Sequence, residues 1–232
     1  MATKQLTVCI PTYKRYQMTV EAVNSALQDT RISEVVVVED GLTEDGQMLK
    51  QHYSDHPKVT VYFNQTNLGV YGNKHRAVQL ASNPWVIILD SDNQLTPEYI
   101  DAVFNADWNE AEVLAPVFAR PTFDYRAYSG EVLQKSNVAM FIGKAGIDCC
   151  LNTMNYFVNR TMYLLVWQPR ADIIGADSIY FNYLWMLAGN RIKLLPGMEY
   201  EHRVHDGSYY VSVARESAPL TKQIENLMLK MR

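Results

Sequence analysis

The chain has 232 residues, of which 48% are hydrophobic and 20% are charged, and its formal net charge at pH 7 is −4. This length and composition can supply a large hydrophobic core, and they exclude a disordered chain. A mildly acidic chain has no global positive field to hold nucleic acid or an anionic membrane, so the sequence predicts neither as a partner.

The same composition predicts a cytoplasmic protein. No run approaches the roughly 18 apolar residues that a membrane span needs, and the opening stretch MATKQLTVCIPTYKR turns polar too early for a signal peptide. The three cysteines, Cys9, Cys149 and Cys150, are odd in number and lack the spacing of a metal site. This usage is typical of a reducing compartment.

In chain order, the first half alternates short β-branched runs with segments of helical length. The predicted elements are strands at 6–10, 34–38, 59–63 and 85–89 and helices at 17–28, 44–55 and 71–82. The strand runs are apolar nearly throughout, as strands covered on both faces must be. Alternation of strand and helix favours right-handed crossovers and parallel pairing. The sequence therefore predicts an α/β fold with a doubly wound, mostly parallel sheet.

The second half is less regular. Its predicted elements are strands at 113–117, 156–158 and 191–195, a helix near 175–188 and a terminal amphipathic helix at 214–230. The stretch 119–150 carries Pro121 and few runs of buried type, so we expect an irregular excursion over the sheet edge. No internal repeat or linker divides the chain, which predicts a single domain over residues 1–232.

Polar segments follow each of the first predicted strands. They are Pro11-Thr12-Tyr13-Lys14-Arg15, Glu39-Asp40-Gly41, Asn64 to Gly69, and Asp90-Ser91-Asp92. Open parallel sheets bind ligands beyond the carboxyl ends of their strands. Any one segment alone could be an ordinary turn with a helix cap. Together they predict a ligand site at this edge of the sheet.

These segments, in this order and spacing, resemble the inverting family 2 glycosyltransferases with the GT-A fold. The matching stretches are TVCIPTYKR, VVVVEDG, NLGVYGNKHRA and VIILDSDN, the last with an Asp-x-Asp motif. The resemblance covers most of residues 5–95 and returns near 175–177 and 203–208. It implies one GT-A domain with a nucleotide-binding half at about 1–95, an acceptor-binding half at about 96–213 and a C-terminal helix at about 214–232.

The Asp-x-Asp segment is the predicted metal site. A nucleotide sugar brings a diphosphate, and a divalent cation such as Mn²⁺ or Mg²⁺ with oxygen ligands both holds it and assists its departure. We predict Asp92 as the direct metal ligand, and Asp90 as a second ligand or a contact to ribose or metal-bound water. The alternative is a strand-ending turn in which Asp90 caps backbone amides.

Further donor contacts are implied by the same resemblance. Asp40 is expected to accept hydrogen bonds from the base or ribose, and Lys74 to meet phosphate or sugar oxygens. The full predicted donor set is Pro11, Thr12, Tyr13, Asp40, Asn67, Gly69, Lys74, Asp90, Ser91 and Asp92. Lys74 stands where the family usually has Arg or Lys, whereas His75 replaces a common Asn.

The resemblance also implies a general base and a third metal ligand. Asp177 lies where similar enzymes place the base, while Ala176 replaces a common Glu. Asp177 could instead be a helix cap, and Asp172 is the rival carboxylate. His205, in the segment Arg203-Val204-His205-Asp206-Gly207-Ser208, is the expected histidine ligand, with His202 as the alternative.

The resulting hypothesis is a metal-dependent inverting glycosyltransferase. It would move a sugar from a nucleoside diphosphate donor, UDP in the first instance, to a hydroxyl of a glycan, a lipid-linked glycan or a small acceptor. Two alternatives stay open: a binding module for nucleotide sugars without turnover, and a nucleotidyltransferase. The second lacks its Gly-rich, Arg-containing loop, since Pro11-Thr12-Tyr13-Lys14 follows the first strand.

Overall fold

The computed structural model describes residues 4–144, 146–205 and 207–231, with only the backbone at 148 and 149. The strands are β1 (Leu6–Thr12), β2 (Ile32–Glu39), β3 (Val59–Phe63), β4 (Trp85–Ile88), β5 (Gln94–Leu95), β6 (Glu112–Ala115), β7 (Phe118–Arg120), β8 (Phe123–Asp124), β9 (Val132–Gln134), β10 (Phe157–Asn159), β11 (Arg191–Leu194) and β12 (Glu199–Glu201). The α-helices are α1 (Tyr16–Leu27), α2 (Glu44–His52), α3 (Gly69–Leu80), α4 (Pro97–Asn105), α5 (Ile147–Leu151), α6 (Arg160–Val166), α7 (Asp177–Leu187) and α8 (Tyr209–Met228).

The central sheet has eight strands in the order β3-β2-β1-β4-β10-β6-β11-β9. Its pairs β3–β2, β2–β1, β1–β4 and β6–β11 are parallel, and β10 and β9 run antiparallel to their neighbours. The predicted α/β fold with a doubly wound, mostly parallel sheet is confirmed. The strand predicted at 156–158 forms as β10, but it inserts antiparallel between β4 and β6.

Helices cover both faces of this sheet because alternate side chains of the apolar strands point to opposite faces. In β2, Val36 and Val38 join one hydrophobic cluster, which includes residues of α3, α6 and α7. Val35 and Val37 join the other cluster, with residues of α1 and α4. The two clusters hold the strand ends, and the loops that follow them, in fixed positions.

The prediction of an irregular excursion at 119–150 is wrong where this stretch forms short strands. Strands β7 and β8 form a second sheet of four strands in the order β5-β12-β7-β8, and β9 pairs with β11 at the edge of the central sheet. Strands of two or three residues are too short to show a periodic pattern. A short 3-10 helix, Arg126–Tyr128, lies between β8 and β9, and a second one, Val138–Met140, follows β9.

Strands from both predicted halves share the central sheet, since β1 to β4 lie beside β10, β6, β11 and β9. The division of the chain at about residues 95 and 213 stays a prediction. The terminal helix α8 begins at Tyr209, earlier than predicted, and continues through Pro219. Its buried residues Ser217, Ile224, Glu225 and Met228 face the rest of the protein.

Cys9 and Cys150 are both buried. The side chain of Cys149 lies outside the described residues. In the described part of the chain, no helix combines the length and the apolar character needed to cross a bilayer.

Candidate active site

The carboxyl ends of the parallel strands β2, β1 and β4 open onto one cavity of about 1460 Å³. The starts of α3 and α7 and the segments 202–205 and 207–212 contribute to its walls. All the predicted site residues line this cavity: Pro11, Thr12, Tyr13, Asp40, Asn67, Gly69, Lys74, Asp90, Ser91, Asp92, Asp177 and His205. The topology therefore brings together polar segments that are far apart in the sequence.

Asp40 is held by its neighbours on the cavity wall, where it is buried. Its Oδ1 accepts hydrogen bonds from Asn64 Nδ2 and from the Leu68 backbone N–H, both at 2.8 Å. Asn67 Nδ2 donates to the Asp40 carbonyl oxygen at 3.2 Å. These bonds fix the direction of the carboxylate before any ligand arrives, so it can serve as a preorganised acceptor.

Asn73 supports this wall and was missed by the sequence analysis. It is buried on α3, and its Nδ2 donates to the carbonyl oxygens of Val38 at 2.9 Å and Thr12 at 3.2 Å. Its Oδ1 accepts from Asn64 Nδ2 at 2.9 Å. The sequence carried one signal for Asn73, since it is a polar residue on the buried face of a helix that follows a strand.

The turn after β1 leaves a tyrosine ring at the cavity mouth. Lys14 has a φ of 54°, a left-handed conformation that is uncommon for residues other than glycine. Its backbone N–H donates to Glu39 Oε1 at 2.9 Å, which stabilises this turn. Tyr13 is thereby exposed, with Lys14 Nζ lying 5.0 Å from the centre of its ring. An exposed ring at this place can pack against a planar ligand.

Asp90 is positioned by Asn155, a fully buried residue that the sequence analysis also missed. Asn155 Oδ1 accepts from the Asp90 backbone N–H at 2.9 Å, and Asn155 Nδ2 donates to Asp90 Oδ2 at 3.2 Å. Burial raises the pKa of Asp90, and the positive charge of Lys74 opposes that rise. The carboxylate thus contacts side chains, which disfavours the alternative of a turn that caps backbone amides.

Replacing Asn155 by Leu is expected to lower the free energy of unfolding by about 1–3 kcal/mol, because the variant removes a fully buried amide that bonds the Asp90 N–H and Asp90 Oδ2. Urea denaturation of the two proteins measures the change. The matched control is Asn105→Leu at an exposed position on α4, where we expect little effect. Equal stability of both variants would contradict this role for Asn155.

Asp92 carries two contacts through a single oxygen. Its Oδ2 lies 2.7 Å from Arg15 Nη1 and 3.2 Å from His205 Nε2. Arg15 Nη2 also donates to the Gly207 carbonyl oxygen at 2.7 Å, and Arg203 forms an ion pair with Glu21. These contacts hold the segment that carries His205 against the first half of α1. Arg15 is a further site residue that was not singled out from the sequence.

Asp92 and His205 have the chemistry of a divalent metal site. A carboxylate oxygen and an imidazole nitrogen are ligands for ions such as Mg²⁺ and Mn²⁺. Within residues 4–144, 146–205 and 207–231, no group of three His, Cys, Asp or Glu side chains is placed to hold a metal. Two protein ligands suit an ion whose coordination is completed by substrate phosphates and water. The residues thus fit a cation that binds together with a diphosphate.

His202, the alternative histidine ligand, packs between aromatic rings. Its ring centre lies 5.1 Å from that of Phe123 and 6.0 Å from that of Tyr200. Burial lowers the pKa of His202, and the nearby carboxylates of Asp90 and Asp92 act in the opposite direction. Because His205 contacts Asp92 directly, the geometry favours His205 as the ligand.

Asp177 begins α7, lines the cavity and is buried. Its Oδ2 lies 2.9 Å from Lys74 Nζ, which also lies 3.0 Å from Asp90 Oδ1. Burial opposes the charge of Lys74, but attraction by Asp177 and Asp90 outweighs it and raises the pKa of the ammonium group. Asp177 faces this cation rather than capping its own helix, since its side chain does not occupy the N-cap position.

The rival carboxylate, Asp172, lies away from the cavity. Its side chain is 70% exposed and pairs with Arg170 at 2.7 Å. The two departures from the family pattern also face away from the site. Ala176 is fully buried, and the His75 ring stacks on Trp167 with 3.9 Å between ring centres. Neither residue is among those that line the cavity.

Comparison with known structures identifies the fold. The chain superimposes on Staphylococcus aureus TarS in complex with UDP-GlcNAc with a TM-score of 0.74 and 20% identity, over 98% of this chain and 67% of that chain. It also matches the mannosyltransferase PcManGT of Pyrobaculum calidifontis, in complex with GDP-Man and Mn²⁺, with a TM-score of 0.68 and 18% identity, over 93% of this chain and 61% of that chain. These similarities confirm the GT-A fold.

Comparison of sequences identifies the family. A chondroitin synthase of Escherichia coli is 34% identical over 98 residues, which are 41% of this chain and 14% of that protein. A GalNAc(5)-diNAcBac-PP-undecaprenol beta-1,3-glucosyltransferase of Campylobacter jejuni is 30% identical over 94 residues, 39% of this chain and 30% of that protein. The chain thus spans less than a third of either relative. The family model described as Glycosyl transferase family 2 matches residues 7–145, so the predicted resemblance is confirmed and the chain belongs to glycosyl transferase family 2.

Proposed function

We propose that the chain catalyses metal-dependent, inverting transfer of a sugar from a nucleoside diphosphate donor, UDP in the first instance, to a hydroxyl group. The observation that carries this proposal is the convergence of three kinds of group on one cavity. Asp40 is a fixed acceptor for a nucleotide, Asp92 and His205 form a candidate cation site, and Asp177 is a carboxylate on the acceptor-side wall.

The donor nucleotide is proposed to lie against the ends of β1 and β2. Asp40 accepts hydrogen bonds from the base or ribose, Thr12 and Pro11 shape the base pocket, and Tyr13 packs on the ring. Asn67 and Gly69 lie beside Asp40 at the start of α3. TarS was solved with UDP-GlcNAc and PcManGT with GDP-Man, and these complexes support a nucleotide-sugar donor without fixing the base.

Asp92 and His205 are proposed to hold Mn²⁺ or Mg²⁺ near the diphosphate, with Asp90 and Ser91 beside them. When bound, such a cation neutralises negative charge on the phosphate leaving group. Arg15, 2.7 Å from Asp92, supplies a fixed positive charge at the same place. PcManGT was solved with Mn²⁺, which supports a divalent cation without assigning its ligands.

Asp177 is proposed to act as the general base. It accepts the proton of the acceptor hydroxyl as that oxygen attacks the sugar on the face opposite the departing diphosphate. The contacts of Lys74 with both Asp177 and Asp90 bring Asp177 close to the Asp-x-Asp segment, which supports a base beside the proposed donor site. The acceptor is proposed to be a glycan, a lipid-linked glycan or a small hydroxyl compound.

The proposal is tested by incubating the chain with a panel of nucleotide sugars, Mn²⁺ and simple sugar acceptors, and measuring release of nucleoside diphosphate. We expect release from at least one UDP-sugar, with loss of activity in EDTA. Tight donor binding without turnover would instead indicate a binding module. Release of pyrophosphate from a nucleoside triphosphate would indicate a nucleotidyltransferase, and no binding at all would contradict the proposal.

A further inference from the structure

Lys74 is a buried cation that joins the two sides of the cavity. Its side chain is 4% exposed, and its Nζ contacts Asp177 Oδ2 at 2.9 Å and Asp90 Oδ1 at 3.0 Å. Asp90 follows β4 and Asp177 begins α7, and these elements are the proposed donor and acceptor sides. The two carboxylates lie on separate elements, so this link forms only when the fold brings those elements together.

The charges of Lys74, Asp90 and Asp177 depend on one another. A buried carboxylate or ammonium group is costly unless an opposite charge lies within hydrogen-bonding distance. An ammonium group has three N–H donors, and two of those on Lys74 are directed at carboxylates. Lys74 is therefore engaged by protein side chains through two of its donors, and its contact with phosphate or sugar oxygens of the donor stays a prediction.

We propose that Lys74 is a positioning residue for sugar transfer, which holds the carboxylate of Asp177 at a fixed place relative to the donor by gripping Asp90 with the same ammonium group. This inference rests on the proposed function and deepens it. Lys74 gives up no proton and forms no bond to the substrate. Its effect is on the transfer step and not on donor affinity.

In the transfer step that Lys74 supports, all bonds that break or form belong to the substrates and to Asp177. The acceptor O–H bond breaks and its proton passes to the Asp177 carboxylate. The acceptor oxygen forms a bond to the anomeric carbon, and the bond from that carbon to the phosphate oxygen breaks, with its electron pair leaving on the nucleoside diphosphate. Since Lys74 holds Oδ2 of Asp177, the proton goes to the other oxygen of that carboxylate.

The first test separates positioning from donor binding. With Lys74→Met we expect kcat to fall by about 100-fold, because a general base that is misplaced by about 1 Å loses most of its effect. We expect the Kd of UDP with Mn²⁺, measured by calorimetry, to change by less than about threefold. The control Arg76→Met removes an exposed charge from the same helix. A large rise in Kd with unchanged kcat would overturn the inference.

The second test asks whether Lys74 acts through Asp177. In the Asp177→Asn background, adding Lys74→Met is expected to lower the single-turnover rate by less than about threefold, because residues that act as a unit are not additive. If the rate losses caused by Lys74→Met and Asp177→Asn multiply in the double variant, the two residues act independently and the inference is overturned. Lys74→Arg keeps the charge and is expected to restore most of the kcat lost in Lys74→Met, at unchanged Kd.

Separate experimental controls test whether the Lys74 variants fold and whether the proposed function is correct. Circular dichroism and thermal melting show whether Lys74→Met folds. If it does not, Lys74→Arg decides: a kcat lowered by only a few-fold at unchanged Kd supports positioning by the retained charge, and a raised Kd at unchanged kcat overturns it. A wild-type chain that neither binds nor turns over any donor overturns the proposed function and this inference together, whereas an active wild type isolates the role of Lys74.

Discussion

Replacing Asp177 by Asn is expected to lower the rate of sugar transfer by about three orders of magnitude, within the range that loss of a general base produces. The amide keeps the shape of the side chain but cannot accept the proton of the acceptor hydroxyl. Release of nucleoside diphosphate at saturating donor and acceptor measures the loss. Calorimetry is expected to show an unchanged Kd for the donor nucleotide, because Asp177 lies on the wall that we propose faces the acceptor.

The matched control for this variant is Asp172→Asn. Asp172 is the rival carboxylate near α7, but it is exposed and paired with Arg170. We expect the Asp172→Asn variant to keep wild-type activity. Transfer at the wild-type rate in Asp177→Asn, together with loss of activity in Asp172→Asn, would move the base to Asp172 and contradict the assignment.

Replacing Asp92 by Ala is expected to weaken binding of UDP in the presence of Mn²⁺ by about 100-fold, since a site of one or two protein ligands depends on each of them. The variant removes the only carboxylate in contact with His205 among the described residues. Calorimetric titrations with UDP, in Mn²⁺ and in EDTA, measure the metal-dependent part of the binding energy. We expect that part to disappear.

A surface carboxylate provides the control for Asp92. Asp101 lies on α4, pairs with Arg31 and has a side chain that is 59% exposed. Asp101→Ala is expected to leave the metal-dependent binding of UDP unchanged. If Mn²⁺ still strengthens UDP binding to Asp92→Ala as much as to the wild type, the cation is held elsewhere.

The location of the site could be predicted from the sequence because it follows from strand order. Apolar β-branched runs predict parallel strands, and the residues after such strands meet at one edge of the sheet. Asp40, Asp90 and Asp92 lie on the wall of one cavity for that reason. Asp177 and His205 depended on the family resemblance, since their segments carry no comparable pattern of their own.

The contacts that support these residues could not be predicted from the sequence. Asn155 reaches Asp90 because β10 inserts antiparallel beside β4, and a three-residue strand does not reveal its neighbour or direction. The pairing of Arg15 with Asp92 joins residues 77 positions apart. Lys74 lies within a recognisable motif, but only the packing of α3 against α7 shows that its charge is shared between two carboxylates.

The measurement that tests the account most directly is a crystal structure of the chain with UDP and Mn²⁺, using anomalous scattering to locate manganese. The account predicts a manganese peak at ligand distance from Asp92 and His205, with diphosphate oxygens completing its coordination and the nucleoside beside Asp40. A structure with UDP bound elsewhere, or with manganese absent while Arg15 still pairs with Asp92, would contradict it.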